Sequence, residues 1–310
     1  MLTYNHVGAI ESTLRTVLNQ TVDGYEVIVS DDCSTDGTWD LICKLTAQDT
    51  RIRVVRTPKN LDTPGNANFA VAQSARPYIA LLHHDDLYRE DLLEKWLGVM
   101  ERHPDVGFVF NSYGVYQSSY VYTHPFADER LEGRWFLESH LFPSWGCWVR
   151  GTAMIRRSWW EKVGGMREQF GLLADVDLWM RLAAATAVGY VPEPVITVRH
   201  ARPSYYPDDY KEKGWSWRRQ RYLYEIHAAN RLAYYDLKTI PGRLKWWRFR
   251  LRLSAETAKW LAYALVRRKF EMIALCLEGA TEYDVVLLRL FRGALCGAWG
   301  MVHRAKGRKV

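Results

Sequence analysis

Three short polar runs carry carboxylates at spacings that could do chemistry. In SDDCSTDGT, Asp31, Asp32, Ser34, Asp36 and Gly37 follow the β-branched run YEVIVS. A loop of Ser, Thr and Asp commonly caps the next helix, but capping needs one side chain rather than three carboxylates. A carboxylate fixed at a strand end can accept hydrogen bonds from a base or ribose, so nucleotide recognition is the sharper reading. The second run, His83-His84-Asp85-Asp86, directly follows the apolar run YIALL. Asp86 could cap a helix starting near Asp91. Two histidines beside two adjacent carboxylates also make an oxygen and imidazole donor set for a divalent ion such as Mg²⁺ or Mn²⁺, and this is the favoured reading. In ADVDLWMRLA, Asp175 and Asp177 open a helix; one can serve the helix N-terminus, leaving the other to act as a general base. His200, in VRHARPS, lies in a polar loop after a strand and is ambiguous by itself.

The elements that must position these runs alternate. Tyr25–Ser30, Ile52–Arg56, Tyr78–Leu82 and Val106–Asn111 read as strands, and Ala9–Gln20, Thr38–Ala47, Gly65–Ser74 and Leu92–Arg102 as helices. Strands separated by single helices mean βαβ units and a mostly parallel sheet, whose ligands bind beyond the carboxyl ends of the strands. The first two polar runs fall there. Residues 112–150 read as irregular and aromatic. Helices are expected from about Ser158 to Val163 and over Asp175–Ala185, the latter with Leu178, Leu182 and Ala185 toward the core, and a short strand at Tyr190 and Val191. From about Asp208 the pattern is nearly all helical.

Of 310 residues, 48% are hydrophobic and 25% charged, which excludes collagenous, low-complexity and mostly disordered chains. Five scattered cysteines without a CxxC pair indicate neither a disulfide framework nor a thiolate zinc site, and a reducing compartment is expected. No secretory signal pattern opens the chain, and no stretch reaches the roughly 18 uninterrupted apolar residues that span a bilayer. The net charge of +7 conceals an asymmetry: residues 1–204 carry −5 and residues 205–310 carry +12. In the tail, WSWRRQRYLYEIH and RLKWWRFRLRL interleave cations with aromatic rings. An ordinary helical packing layer and a membrane interface rich in anionic lipid both suit that mixture. Nucleic acid is disfavoured, because no binding motif accompanies the charge. The segment from Tyr283 to His303 is the expected interfacial helix.

The ordered set TYNHVGAIESTLRTVLNQT, YEVIVSDDCSTDGT, YIALLHHDDLY, GTAMIRRSWWEKVGGM and ADVDLWMRLA resembles the inverting glycosyltransferases of family 2, over roughly residues 1–204. The resemblance implies the GT-A fold, Rossmann-like with helices flanking a mostly parallel sheet, here followed by a helical C-terminal extension at 205–310. It implies that Thr3, Tyr4, Asn5 and Asp32 surround the base and ribose of an activated sugar, and that His83 and His84 lie along its nucleotide. Asp85 is then the expected metal ligand, followed by Asp86, with His200 completing the shell around Mn²⁺ or Mg²⁺. Asp175 becomes the general base and Asp177 a structural neighbour. His83 stands where the family has an Asp, and Ala174 where it has a Glu. Those two departures motivate the rival reading of a non-catalytic nucleotide-sugar or carbohydrate-binding protein. The expected partners are a nucleoside-diphosphate sugar, a lipid-linked or polysaccharide acceptor and an anionic membrane surface, at the cytoplasmic face. The family also has a full apolar strand before its TYN segment, so a start upstream of Met1 is expected.

Overall fold

A computed structural model describes residues 1–47, 49–199, 217–268 and 273. His200 and the Tyr283–His303 segment lie outside the described residues. The chain divides into two compact units, Met1–Pro207 and Asp208–Val310.

In the first unit, strands β1 (Leu2–Thr3), β2 (Val27–Asp31) and β3 (Ile52–Arg56) form a parallel three-stranded sheet in that order. Helices α1 (Ile10–Leu18) and α2 (Thr38–Thr46) connect them. Apolar residues at helical spacing dictate α1: Ile10, Leu14 and Val17 are buried on one face, with Thr13 between them. Helix α3 (Asp62–Ala72) leads to β4 (Tyr78–Leu81). Next come β5 (Leu87–Tyr88), α4 (Leu92–Arg102), β6 (Val106–Val115), β7 (Val121–Tyr122) and β8 (Arg130–Leu131). A short α5 (Gly133–Phe136) runs on into a wider turn at Leu137–Leu141. The unit continues with β9 (Ala153–Arg156), α6 (Arg157–Val163), α7 (Ala174–Ala185) and β10 (Ala187–Val198).

The second sheet has the order β4-β9-β6-β10-β5 and is mixed. β6 and β10 run parallel, whereas β9 is antiparallel to both β4 and β6. The connection from β6 to β9 passes through β7, β8 and α5, and β9 enters the sheet from the opposite direction. β10 also differs from the two-residue strand expected at Tyr190 and Val191. Pro192 and Pro194 interrupt its apolar pattern, yet pairing resumes beyond a register shift and runs on to Val198. β6 is buried from Val106 through Ser112 and forms the centre of the core. Trp96 of α4 and Trp179 of α7 are fully buried, the latter stacked on Phe108 at 5.2 Å. On α7, Leu178 and Leu182 face the core as expected; Ala185, at the last turn, is exposed instead and Ala183 is buried.

A backbone bridge joins the two sheets. Leu2 forms a parallel bridge with His83, and the Leu2 N–H donates to the Leu82 carbonyl at 3.3 Å. The segment following β1 therefore emerges beside the run following β4. Below this junction lies a cavity of about 300 Å³ bordered by Met1, Val27, Ile28, Ile79 and Leu81.

The second unit contains α8 (Trp217–Tyr234) and α9 (Ile240–Val266). The Thr239 side chain caps α9 by accepting the Gly242 N–H, and Pro241 occupies its first turn. The Arg231 guanidinium of α8 stacks 4.2 Å from the Phe249 ring centroid of α9.

Candidate active site

The loop after β2 is ordered by its own carboxylates. Asp31 is fully buried, accepts the Ser34 N–H at 3.0 Å and lies 3.2 Å from the Arg56 guanidinium. Asp32 is also buried; its Oδ1 accepts the Thr57 hydroxyl and the Leu61 N–H, each at 2.8 Å. Burial pushes the Asp32 carboxyl above its usual range. The TYN segment locks onto this loop. Thr3 is buried and its carbonyl accepts the Asp32 N–H, while the Asn5 side chain accepts the Thr35 N–H at 2.8 Å. Asn5 has φ 48°, a left-handed conformation that Asn adopts more readily than most residues. Thr3, Asn5 and Asp32 are thus joined by hydrogen bonds at the carboxyl edge of β1 and β2, with Tyr4 between the first two in the chain.

His83, His84, Asp85 and Asp86 follow β4 on the far side of the junction. Asp86 is no helix cap, because α4 begins at Leu92 with Asp91 in the cap position. The Asp86 side chain is instead fully buried, 3.6 Å from the Arg150 guanidinium, and accepts the Arg199 N–H at 3.3 Å. Burial outweighs Arg150 and raises its carboxyl to about 6. Asp85 is only partly buried. Two groups of possible metal donors converge on it: His6, His84 and Asp85 in one, His83, Asp85 and Asp86 in the other. Within each group the ligand atoms lie within 4.8 Å of one another. Nδ1 of His84 faces the Leu2 carbonyl at 3.0 Å, so a neutral ring donating there presents its Nε2 lone pair on the opposite side. Burial lowers His6 to about 4 and depresses His83 and His84 as well. All three rings are therefore neutral at pH 7, as metal ligation requires.

Asp175 sits in the first turn of α7 with Oδ1 accepting the Val176 N–H at 2.8 Å. Gly151, just ahead of β9, joins it to the histidine run. A Cβ on Gly151 would fall 2.5 Å from Nε2 of His83 and 3.4 Å from Oδ2 of Asp175. Both side chains accordingly line the space above one glycine. Asp177 has a different environment: it is fully buried, paired with Arg181 at 2.7 Å and with Arg167 at 3.4 Å. Arg181 also donates to the Val163 and Gly165 carbonyls, tying α7 to the end of α6.

Three contributors escaped the sequence reading. Gly151 lies inside the GTAMIRRS motif, where no local signal marks it. Arg150 pairs with Asp86 and covers the Tyr113 ring at 5.3 Å. Arg199 donates to the Asp85 carbonyl and to the hydroxyls of Ser12 and Thr13, fastening the polar run to α1. Its position directly before His200 was the only available signal.

The family model for glycosyl transferase family 2 matches residues 1–164. The chain belongs to that family. Among relatives of this glycosyl transferase family 2 member is TuaG of Bacillus subtilis strain 168, named for teichuronic acid biosynthesis. It is 38% identical over 113 residues, 36% of this chain and 44% of TuaG. WfaP of Escherichia coli, named as a UDP-Glc:alpha-D-GlcNAc-diphosphoundecaprenol beta-1,3-glucosyltransferase, is 32% identical over 124 residues, 40% of this chain and 48% of WfaP. In these matches the chain spans less than half the length of either relative. Among solved structures, residues 1–349 of Staphylococcus aureus TarS in complex with UDP-GlcNAc superpose with a TM-score of 0.69. That superposition covers 91% of this chain and 78% of the other at 15% identity, and establishes a shared GT-A-like fold.

Proposed function

We propose that this family 2 protein is an inverting glycosyltransferase. It moves a sugar from a nucleoside-diphosphate donor to a hydroxyl of a lipid-linked or polysaccharide acceptor, working at the cytoplasmic face of a membrane. The observation that carries the reading is the convergence at Gly151, where the Asp175 carboxylate meets the run that holds Asp85. The cell-envelope names of TuaG and WfaP support the choice of acceptor class.

In this reading the surface of Thr3, Tyr4, Asn5 and Asp32 receives the nucleoside, with His83 and His84 along the diphosphate. Asp85 with the imidazoles of His6 and His84 suits a divalent ion by the chemistry of its donors, and His200 is a further proposed ligand. When bound, such an ion takes up charge on the departing diphosphate. Asp175 withdraws the proton from the acceptor hydroxyl, and that oxygen forms a bond to the anomeric carbon as the carbon–oxygen bond to the diphosphate breaks. One in-line displacement inverts the anomeric centre and needs no nucleophilic side chain. Asp86 and Asp177 stay out of the reaction and hold the loop and the helix that present Asp85 and Asp175.

Transfer and donor hydrolysis measured with Mn²⁺ across UDP-, dTDP- and GDP-sugars test this reading, after thermal shift has selected the stabilising donor. Asp175→Asn is expected to retain donor-induced stabilisation and lose about a hundredfold or more in rate. Equal rates for wild type and Asp175→Asn would remove the assigned mechanism. A donor that stabilises but is never turned over would favour a binding protein instead.

A further inference from the structure

The second unit carries an apolar stripe on its surface. Ile240, Leu244, Trp247 and Leu251 follow one another at helical spacing along α9 and are 73%, 50%, 45% and 55% exposed. Exposed Ala255, Ala258 and Ala262 continue the same line to Leu265, which is 47% exposed. This is not the face that packs within the unit. Phe249, Leu253 and Ala264 are buried on the opposite side of the helix, and Leu261 is buried at the border of the stripe. α9 is therefore apolar on two faces, of which the described residues cover one.

The flanks of the exposed stripe are basic. Lys245, Arg248, Arg252 and Lys259 border it on one side and Arg243 and Arg250 on the other. Glu256 is the only acid in the helix, and no helix among the described residues is long and apolar enough to cross a membrane. Apolar residues centred between two rows of cations form the pattern of a helix lying in the bilayer interface, its rings and aliphatic groups among the acyl chains and its cations on anionic headgroups. A protein partner covering the stripe would have to bring acidic groups to both flanks. An anionic bilayer provides them everywhere along the helix.

We propose that the exposed face of α9 is the membrane-docking surface of this protein and that its partner is an anionic lipid bilayer. This rests on and deepens the membrane placement proposed above, and assigns it to Ile240–Leu265. Flotation of the full chain with phosphatidylglycerol-containing vesicles, against pure phosphatidylcholine, tests it. The wild type is expected to float with the anionic vesicles at low salt and to be released as salt rises. Leu244→Glu/Leu251→Glu, at exposed positions, should keep the wild-type thermal midpoint and reduce the bound fraction about tenfold. Hydrogen exchange on the wild type reads the same surface without substitution, with slower exchange in α9 once vesicles are added. A wild type that does not float overturns both this assignment and the membrane placement. Undiminished flotation of the double variant, or vesicle protection elsewhere with none in α9, overturns the assignment alone. A wild-type dimer that the double variant dissociates without change in flotation identifies a second copy as the occupant and likewise overturns it.

Discussion

Gly151 is the residue on which the two halves of the candidate site depend. A methyl group there meets the His83 ring at 2.5 Å, closer than real Cβ contacts allow, so the ring must leave its position. Gly151→Ala is therefore expected to lower transfer by about tenfold, as misplacement of reacting groups does, with little change in thermal midpoint. Unchanged kinetics in that variant would mean that His83 does not need its position. The carboxylates themselves were legible in the sequence because each is a polar break at the end of an apolar strand or the start of a helix. Gly151 was not, since its importance comes from the absence of a side chain where two distant segments meet. Arg150 and Arg199 were hidden for a related reason: their partners Asp86 and Thr13 lie far away along the chain.

Helix α7 separates the duties of its two acids by which face each occupies. Asp175 lies at the partly exposed edge, whereas Asp177 is sealed against Arg181 and Arg167. Removing one partner from a buried ion pair strands the other, so Asp177→Ala is expected to destabilise the protein by about 3 to 5 kcal/mol in urea unfolding. Asp175→Asn should leave the unfolding midpoint nearly unchanged. If both substitutions destabilise equally, α7 does not divide structure from chemistry in this way. At this scale the sequence pattern placed most helices to within a few residues, since their periodicity depends on local burial alone. Strand direction and length were less legible. Whether β9 runs with or against β4 depends on the route through residues 116–152, and the length of β10 depends on a register shift at Pro192 and Pro194 that no local pattern encodes.

Across the first unit, titration of buried imidazoles sets the response to acid. His124 is buried among Phe110, Phe126, Trp148 and Tyr190, and its Nε2 has no hydrogen-bond partner among the described residues. Burial lowers it from 6.5 to about 4. The unfolded chain thus binds the proton more tightly than the folded one. Stability is full above pH 6.5 and falls as pH drops toward 4, by about 3 kcal/mol from this ring. Asp86, raised to about 6, works in the opposite sense, so the total acid response does not isolate His124. The comparison that does is His124→Phe, expected to be more stable than wild type at pH 7 and to hold that advantage increasingly down to pH 4.5. Parallel stability curves for the two proteins over that range would refute the assignment.

A helix of 27 residues is about 40 Å long, so a protein held along α9 touches its bilayer through a line and not a point. A line resists tipping and spinning in ways that a single lipid chain or loop does not. An enzyme so held would meet a lipid-carried acceptor by lateral diffusion in a thin layer, where both partners are concentrated far beyond their bulk levels. Weak recognition of each acceptor would then suffice for frequent encounter, and rapid release of product would be compatible with sustained turnover.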